Sequence, residues 1–270
     1  MSRISGCFDK LKAEGRKALI PYLTAGDPDL DLTLALMQAL VVNGADIIEL
    51  GFPFTDPSSD GPVIQRAVER ALANNTSLRD VLATVARFRE TDQETPVVLM
   101  GYLNPVECMG YQKFVDASVA AGVDGVLIVD MPPEESHDLK VILDATAMDS
   151  IFLVAPTTSE ERAKRICALS SGYYYYVSLK GVTGAGHMDM DSVRENLARL
   201  RANTTLPVGV GFGIKDVDTA RQISELADAV VVGSALVSKI AELEKGRQYS
   251  PEELQAHIGI IRQMRDAMDA

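Results

Sequence analysis

The sequence predicts an α/β chain folded as a single (β/α)8 TIM barrel, with an extra N-terminal helix and additional helices. Three observations predict it. Short β-rich apolar runs recur eight times, at 18–24, 46–50, 96–102, 125–129, 150–154, 173–178, 207–211 and 229–233. They are continuously apolar, as parallel strands buried on both faces must be. Longer stretches with apolar residues at helical spacing separate them, and strict alternation of strand and helix favours the barrel. The rival, a doubly wound open sheet, usually has fewer strands and a glycine-rich turn after the first; here that strand ends in Thr24-Ala-Gly-Asp-Pro28, which is not G-x-G-x-x-G.

The elements follow in order. Residues 1–14 read as the extra N-terminal helix. Helical spacing recurs at 30–42, 78–88, 114–121, 136–147, 161–169, 193–200 and 217–226. Asp60-Gly-Pro62 leads into a further helix, Gly233-Ser234 opens another, and 251–268 forms the last. Thr158-Ser-Glu-Glu161 and Ser250-Pro-Glu-Glu253 read as capping boxes, the second with proline at the first helical position. No linker or low-complexity stretch divides the chain, so 1–270 is expected to be one domain. Two connections are longer than usual, 51–61 and 179–190. Both follow the C-terminal ends of strands, where barrel enzymes place their chemistry and their lids.

Composition narrows the function. With 26 basic against 38 acidic residues the net charge is −12, and nothing supplies the basic stripe that nucleic-acid phosphates require. Cys7, Cys108 and Cys167 are odd in number and far apart, so neither a disulfide framework nor a zinc site is indicated, and a reducing cytoplasm fits. The first sixteen residues carry no apolar signal core, and no run approaches the ~18 apolar residues of a membrane span. His137, His187 and His257 show no metal-ligand spacing, so no metal is expected.

Glu49 is a carboxylate inside an apolar strand, near its C-terminal end. Desolvation raises a carboxylate pKa toward neutrality and suits it to move protons; the alternative is a buried, paired structural glutamate. Asp56 and Asp60 lie in the loop Gly51-Phe-Pro-Phe-Thr-Asp-Pro-Ser-Ser-Asp-Gly-Pro62. Asp60 fits a helix cap or turn as well as a functional role, and Asp56, before Pro57, fits a turn or a partner contact. Glycines after the sixth, seventh and eighth runs, Gly184, Gly213 and Gly233, with Ser234 opening a helix, are placed as phosphate-gripping backbone is placed in many barrels. In the run Tyr173 to Tyr176, residues 173 and 175 share one strand face and 174 and 176 the other, so one pair points into the barrel. Lys180, just past the sixth strand, is the one lysine placed for Schiff-base chemistry, which leaves an aldolase mechanism as a rival.

Taken together these segments resemble the tryptophan synthase α chain family along almost the whole chain. The resemblance is carried in order by Pro21-Tyr-Leu-Thr-Ala-Gly-Asp-Pro28, by 46–51 with Pro53-Phe-Thr-Asp-Pro57 and Asp60-Gly-Pro-Val-Ile-Gln65, and by Tyr102-Leu-Asn-Pro105. Asp130-Met-Pro132, Ala155-Pro-Thr-Thr158, Gly181-Val-Thr-Gly-Ala185, Gly211-Phe-Gly213 and Gly233-Ser-Ala235 continue it. The resemblance implies a barrel lyase that cleaves indole-3-glycerol phosphate to indole and glyceraldehyde 3-phosphate without a cofactor. It also implies a β-chain partner in an α2β2 heterotetramer. It makes Glu49 the proton-transferring carboxylate, Asp60 the carboxylate near the indole nitrogen, and Tyr175 a neighbour of the reacting centre. Gly184, Gly213, Gly233 and Ser234 hold the phosphate; Tyr22, Tyr102, Leu127 and Phe212 shape the indole pocket; Thr183 helps close the loop over substrate. Asp56, Asn104 and Pro105 face the β chain. Ser58-Ser59, Leu179-Lys180 and Tyr22 depart from the family's commoner residues, and none of them touches Glu49 or Asp60. Besides the Schiff-base aldolase, a non-catalytic regulatory subunit and a free-standing indole lyase stand as alternatives.

Overall fold

The computed structural model describes residues 2–178, 190–211 and 213–270. Nine strands form one parallel sheet: β1 (Ala18–Thr24), β2 (Ile48–Gly51), β3 (Val97–Gly101), β4 (Gly125–Ile128), β5 (Asp149–Ile151), β6 (Leu153–Val154), β7 (Tyr174–Val177), β8 (Val208–Gly211) and β9 (Ala229–Val232). The spatial order is β5-β4-β3-β2-β1-β9-β8-β7-β6. Its two ends, β5 and β6, are consecutive pieces of the fifth apolar run, parted at Phe152. Asp149, Ser150 and Ile151 pair with β4, while Leu153 and Val154 pair with β7. Eight expected strands thus become nine because the fifth bends to close the barrel, and the Phe152 carbonyl accepts from the Tyr175 N–H across the seam.

Period-2 alternation sorts side chains into two layers. Ala18, Ile20, Ile47, Val98, Leu127, Ile151, Tyr173, Tyr175 and Val231 fill the barrel. Their neighbours, among them Leu19, Leu23, Ile48, Leu50, Tyr174 and Tyr176, face the surrounding helices. The N-terminal helix Arg3–Ala13 adds Ile4, Phe8 and Leu11 to the inner layer, and the Phe8 ring lies 5.9 Å from that of Tyr173.

Most helices form where their spacing places them. Leu30–Val42 starts at Asp29, whose carboxylate accepts from the Leu32 N–H. The box at Ser250 forms with Glu253. The box expected at Thr158 does not form: Ser159 alone caps the helix Glu160–Leu169, accepting from the Arg162 N–H, and Thr158 turns back to accept from the Ala155 N–H. The last expected helix is two, Pro251–His257 and Ile260–Asp269, parted at Ile258 and Gly259, where glycine's low helix propensity favours the break. The helix Leu103–Met109 was not visible as a period, being only two turns long.

The N-terminal ends of the strands are tied together by aspartates. Asp46 accepts from the Leu19 N–H, Asp124 from the Val97 N–H, and Asp228 from the Val208 N–H. Asp124 also accepts from Arg89 at 2.6 Å and Arg3 at 2.8 Å. These contacts hold one end of the barrel and leave the other end to the loops that carry the candidate chemistry.

Candidate active site

Glu49 lies on β2 beside Tyr22 of β1 and Val98 of β3, pointing inward and fully buried. Tyr173 donates to its Oε1 at 2.5 Å. Oε2 has no partner among the described residues. Removal from water pushes the Glu49 carboxyl up to about 8, and the hydrogen bond from Tyr173 offsets only part of that rise. The tyrosine ambiguity is thereby resolved: Tyr173 and Tyr175 point into the barrel, Tyr174 and Tyr176 away from it.

Asp60 sits half-buried at the end of the long loop after β2, just before the helix Pro62–Ala73. Tyr102 donates to its Oδ2 at 2.9 Å, and the same phenol oxygen accepts from the Ser59 N–H at 2.9 Å. Burial raises the Asp60 carboxyl above its ordinary value and the Tyr102 hydrogen bond opposes the rise. The Gln65 side-chain amide donates to the Asp60 carbonyl at 2.8 Å. The N-cap expected as an alternative for Asp60 does not form; Gly61 is the cap, with no side-chain hydrogen bond.

Beside Asp60 opens a cavity of about 230 Å³, and Glu49 is not among the residues that line it. Tyr22, Met100, Tyr175, Val63 and Ile64 wall it, Asp60 borders it, and Gly213, Gly233 and Ser234 line its far side. Two glycines make room for the phenols. A Cβ on Gly51 would stand 2.2 Å from the Tyr22 hydroxyl, and one on Gly211 would stand 2.2 Å from that of Tyr175. Gly213 has φ +78°, a conformation that favours glycine. Ser234 begins the helix Ser234–Ile240, and the N–H groups of a first helical turn, which have no acceptor within the helix, suit an anion.

The structure thus brings Asp60, Tyr22, Tyr175, Gly213, Gly233 and Ser234 around one cavity; burial first, and then the nearby carboxyls of Asp60 and Glu49, raise the phenols of both Tyr22 and Tyr175. Tyr102 stands behind Asp60. Leu127 is fully buried in the inner layer and does not line the cavity. Asp56 and Asn104 are exposed and Pro105 is half-buried. Lys180, Thr183, Gly184, His187 and Phe212 lie outside the described residues. His137 and His257 stand apart on separate helices, and among the described residues no His, Cys, Asp and Glu cluster suits a metal. Sequence reasoning gave Tyr173 no role beyond its strand face and missed the role of Gln65. Tyr173 shares a strand face with Tyr175, which was the available signal; Gln65 lies three residues into a helix, where nothing in its spacing marks it.

By fold and site this is a parallel α/β barrel of the enzyme type, with its cavity at the C-terminal ends of its strands. The comparisons are more specific. A sequence profile described as "Tryptophan synthase alpha chain" matches residues 8–268. The tryptophan synthase alpha chain of Thioalkalivibrio sulfidiphilus is 60% identical over 100% of both chains, and that of Nitrosococcus oceani 57% identical over 100% of this chain and 98% of its own. The crystal structure of tryptophan synthase subunit alpha from Legionella pneumophila str. Paris superposes with TM-score 0.90 at 46% identity, covering 100% of this chain and 99% of that one. The chain belongs to the tryptophan synthase alpha chain family. It is a lyase acting on indole-3-glycerol phosphate, it catalyses the α reaction of tryptophan synthase, and its partner is a β chain.

Proposed function

We propose that Glu49 and Asp60 divide between them the retro-aldol cleavage of indole-3-glycerol phosphate. The indole ring must gain a proton at C3 while the hydroxyl next to the breaking bond loses one. Raised to about 8, Glu49 holds a proton at neutral pH and can deliver it to C3. The resulting carboxylate then takes the hydroxyl proton as the carbon–carbon bond breaks and the aldehyde forms. Fully buried and bonded to Tyr173, the Glu49 carboxyl must turn toward the cavity to meet substrate. Protonation at C3 places positive charge on the ring nitrogen, and Asp60, ionised and held by Tyr102, stabilises it there. Tyr22 and Tyr175 flank the ring, Tyr102 and Leu127 support its pocket from behind, and Gly213, Gly233 and Ser234 grip the phosphate. The resemblance adds Thr183, Gly184 and Phe212, and assigns no cofactor to the reaction.

The observation that carries this reading is the unlike surroundings of two carboxyls, Glu49 fully buried beside the cavity-lining Tyr22 and pushed to about 8, and Asp60 half-buried at the cavity and held by a phenol. The β chain meets the surface around Asp56, Asn104 and Pro105 in an α2β2 assembly. Tyr102, which immediately precedes the helix Leu103–Met109, bonds Asp60, so pressure on that surface is felt at the carboxyl. The same reading takes the chain as one domain over 1–270 that works in the cytoplasm. No helix among the described residues is long and apolar enough to cross a membrane.

The test is indole release from indole-3-glycerol phosphate, with and without a β chain. Slow release that rises sharply with the β chain supports the whole reading. Near-normal turnover in Glu49→Gln or Asp60→Asn removes that residue from the mechanism. A borohydride-trapped adduct on Lys180 would replace the carboxylate mechanism with a Schiff base.

A further inference from the structure

Asp27, in the turn after β1, is buried almost completely, with 1% of its surface exposed. Arg70, on the helix Pro62–Ala73, grips it in a fork, Nε to Oδ1 at 2.6 Å and Nη2 to Oδ2 at 2.8 Å. One turn further on, the Asn74 amide donates to the carbonyls of Gly26 at 2.9 Å and Pro28 at 2.5 Å, on either side of Asp27. Such a planar, bidentate pair fixes orientation as well as distance. The C-terminal half of this helix is therefore pinned to the end of β1. Its first turn carries Val63 and Ile64 into the cavity wall, and Gln65 from the same turn holds the Asp60 carbonyl. Asp27, Gln65, Arg70 and Asn74 do not line the cavity.

We propose that Arg70, paired with Asp27, and Gln65 are positioning residues for Asp60. They fix the helix Pro62–Ala73 against β1 and so hold the Asp60 carboxyl where Tyr102 can donate to it. The inference rests on the role proposed for Asp60. Loosening either anchor lets the loop before the helix drift and weakens the Tyr102 hydrogen bond. That bond favours the ionised carboxyl, so its loss raises the pH at which Asp60 becomes charged.

The experiment is the pH profile of kcat/KM for indole-3-glycerol phosphate, with the β chain present, for Gln65→Met and Arg70→Lys. Gln65→Met leaves the buried Asp27–Arg70 pair intact, and Arg70→Lys keeps the charge but loses the fork. The expected result is a fall of about tenfold in kcat/KM. With it, the acid limb moves up by about half a pH unit or more. A purely structural loss scales the whole profile and leaves the limb in place, and that outcome in both variants overturns the proposal. A shift in Gln65→Met alone confines the positioning to Gln65 and removes the Asp27–Arg70 pair from it. If Arg70→Lys does not fold, Gln65→Met decides. Asp60→Asn separates the two levels: near-normal turnover there overturns the role of Asp60 itself, whereas lost turnover with unmoved limbs in the other variants overturns only this inference.

Discussion

The phenol of Tyr173 donates to Oε1 of Glu49 from inside the barrel, and the ring of Phe8, on the N-terminal helix, packs against that tyrosine. Proton affinity at Glu49 is therefore set by two opposing influences, burial that raises it and one phenolic donor that lowers it. Removing the donor leaves burial unopposed. In Tyr173→Phe the basic limb of the kcat/KM profile, where Glu49 loses its proton, is expected to move up by about half a pH unit or more. An unmoved limb would separate Tyr173 from the titration of Glu49.

Glu49 also makes stability depend on pH. Its folded value of about 8 lies above its ordinary 4.5, so the folded chain binds this proton more tightly than the unfolded chain does. That contribution is fully present below pH 4.5 and is lost as pH rises through 8. Glutamine cannot ionise, yet its carbonyl still accepts from Tyr173. Glu49→Gln should therefore be close to parent stability at pH 5 and more stable than parent at pH 8, by a gain on the order of a few kcal/mol. Urea unfolding of both proteins across that range is the check; a constant difference would contradict it.

Gly211 sets the shape of the cavity. A methyl group there would overlap the Tyr175 ring, with Oη at 2.2 Å and Cζ at 2.5 Å. Gly211→Ala is expected to displace the tyrosine, at a packing cost of about 1–3 kcal/mol. Turnover should fall by at least about tenfold with far-UV circular dichroism unchanged. Gly209, on the same strand, offers the control: its nearest neighbours would be 3.4 Å away, so Gly209→Ala should keep most of the activity.

Asp124 acts at the opposite end of the barrel. It is buried and accepts from the Val97 N–H, Arg89 and Arg3. Asp124→Ala takes the close carboxylate from the buried Arg89, leaving it the carbonyls of Gly122, Asp92 and Thr95 and the Asp92 carboxylate at 4.0 Å, and should cost about 3–5 kcal/mol in urea unfolding. The KM of the folded fraction should stay at the parent value, because none of these groups approaches the cavity.

The barrel was legible because continuous apolar runs have no other use in a chain of this length, and each of the eight runs contains a strand. What escaped the sequence was tertiary in origin. The bend at Phe152 arises from closure, since one run must serve two neighbours, and no local signal announces it. Thr158 has the right spacing for a cap, yet Ser159 takes the position because Thr158 is used by the turn before it. For the site, Glu49 was visible as a charge in an apolar strand, and the glycines after β8 and β9 as a pattern of placement. The choice between the two tyrosine faces needed the direction of β7. Tyr173 was passed over because burial against a carboxylate leaves no trace in a run of four tyrosines. Asp27, Arg70 and Gln65 are distant in sequence or ordinary in type, and only the packing of helix Pro62–Ala73 against β1 connects them.

The bend at Phe152 also bears on assembly. A sheet whose first and last strands are consecutive pieces of one run offers no unpaired row of backbone N–H and C=O groups to another molecule. At the seam those groups are already engaged, the Ser150 carbonyl by the Ser171 N–H and the Phe152 carbonyl by the Tyr175 N–H. Among the described residues the sheet therefore offers little open edge along which a neighbour's strand could add. Whatever docks on it must read the crowns of its loops and the sides of its helices.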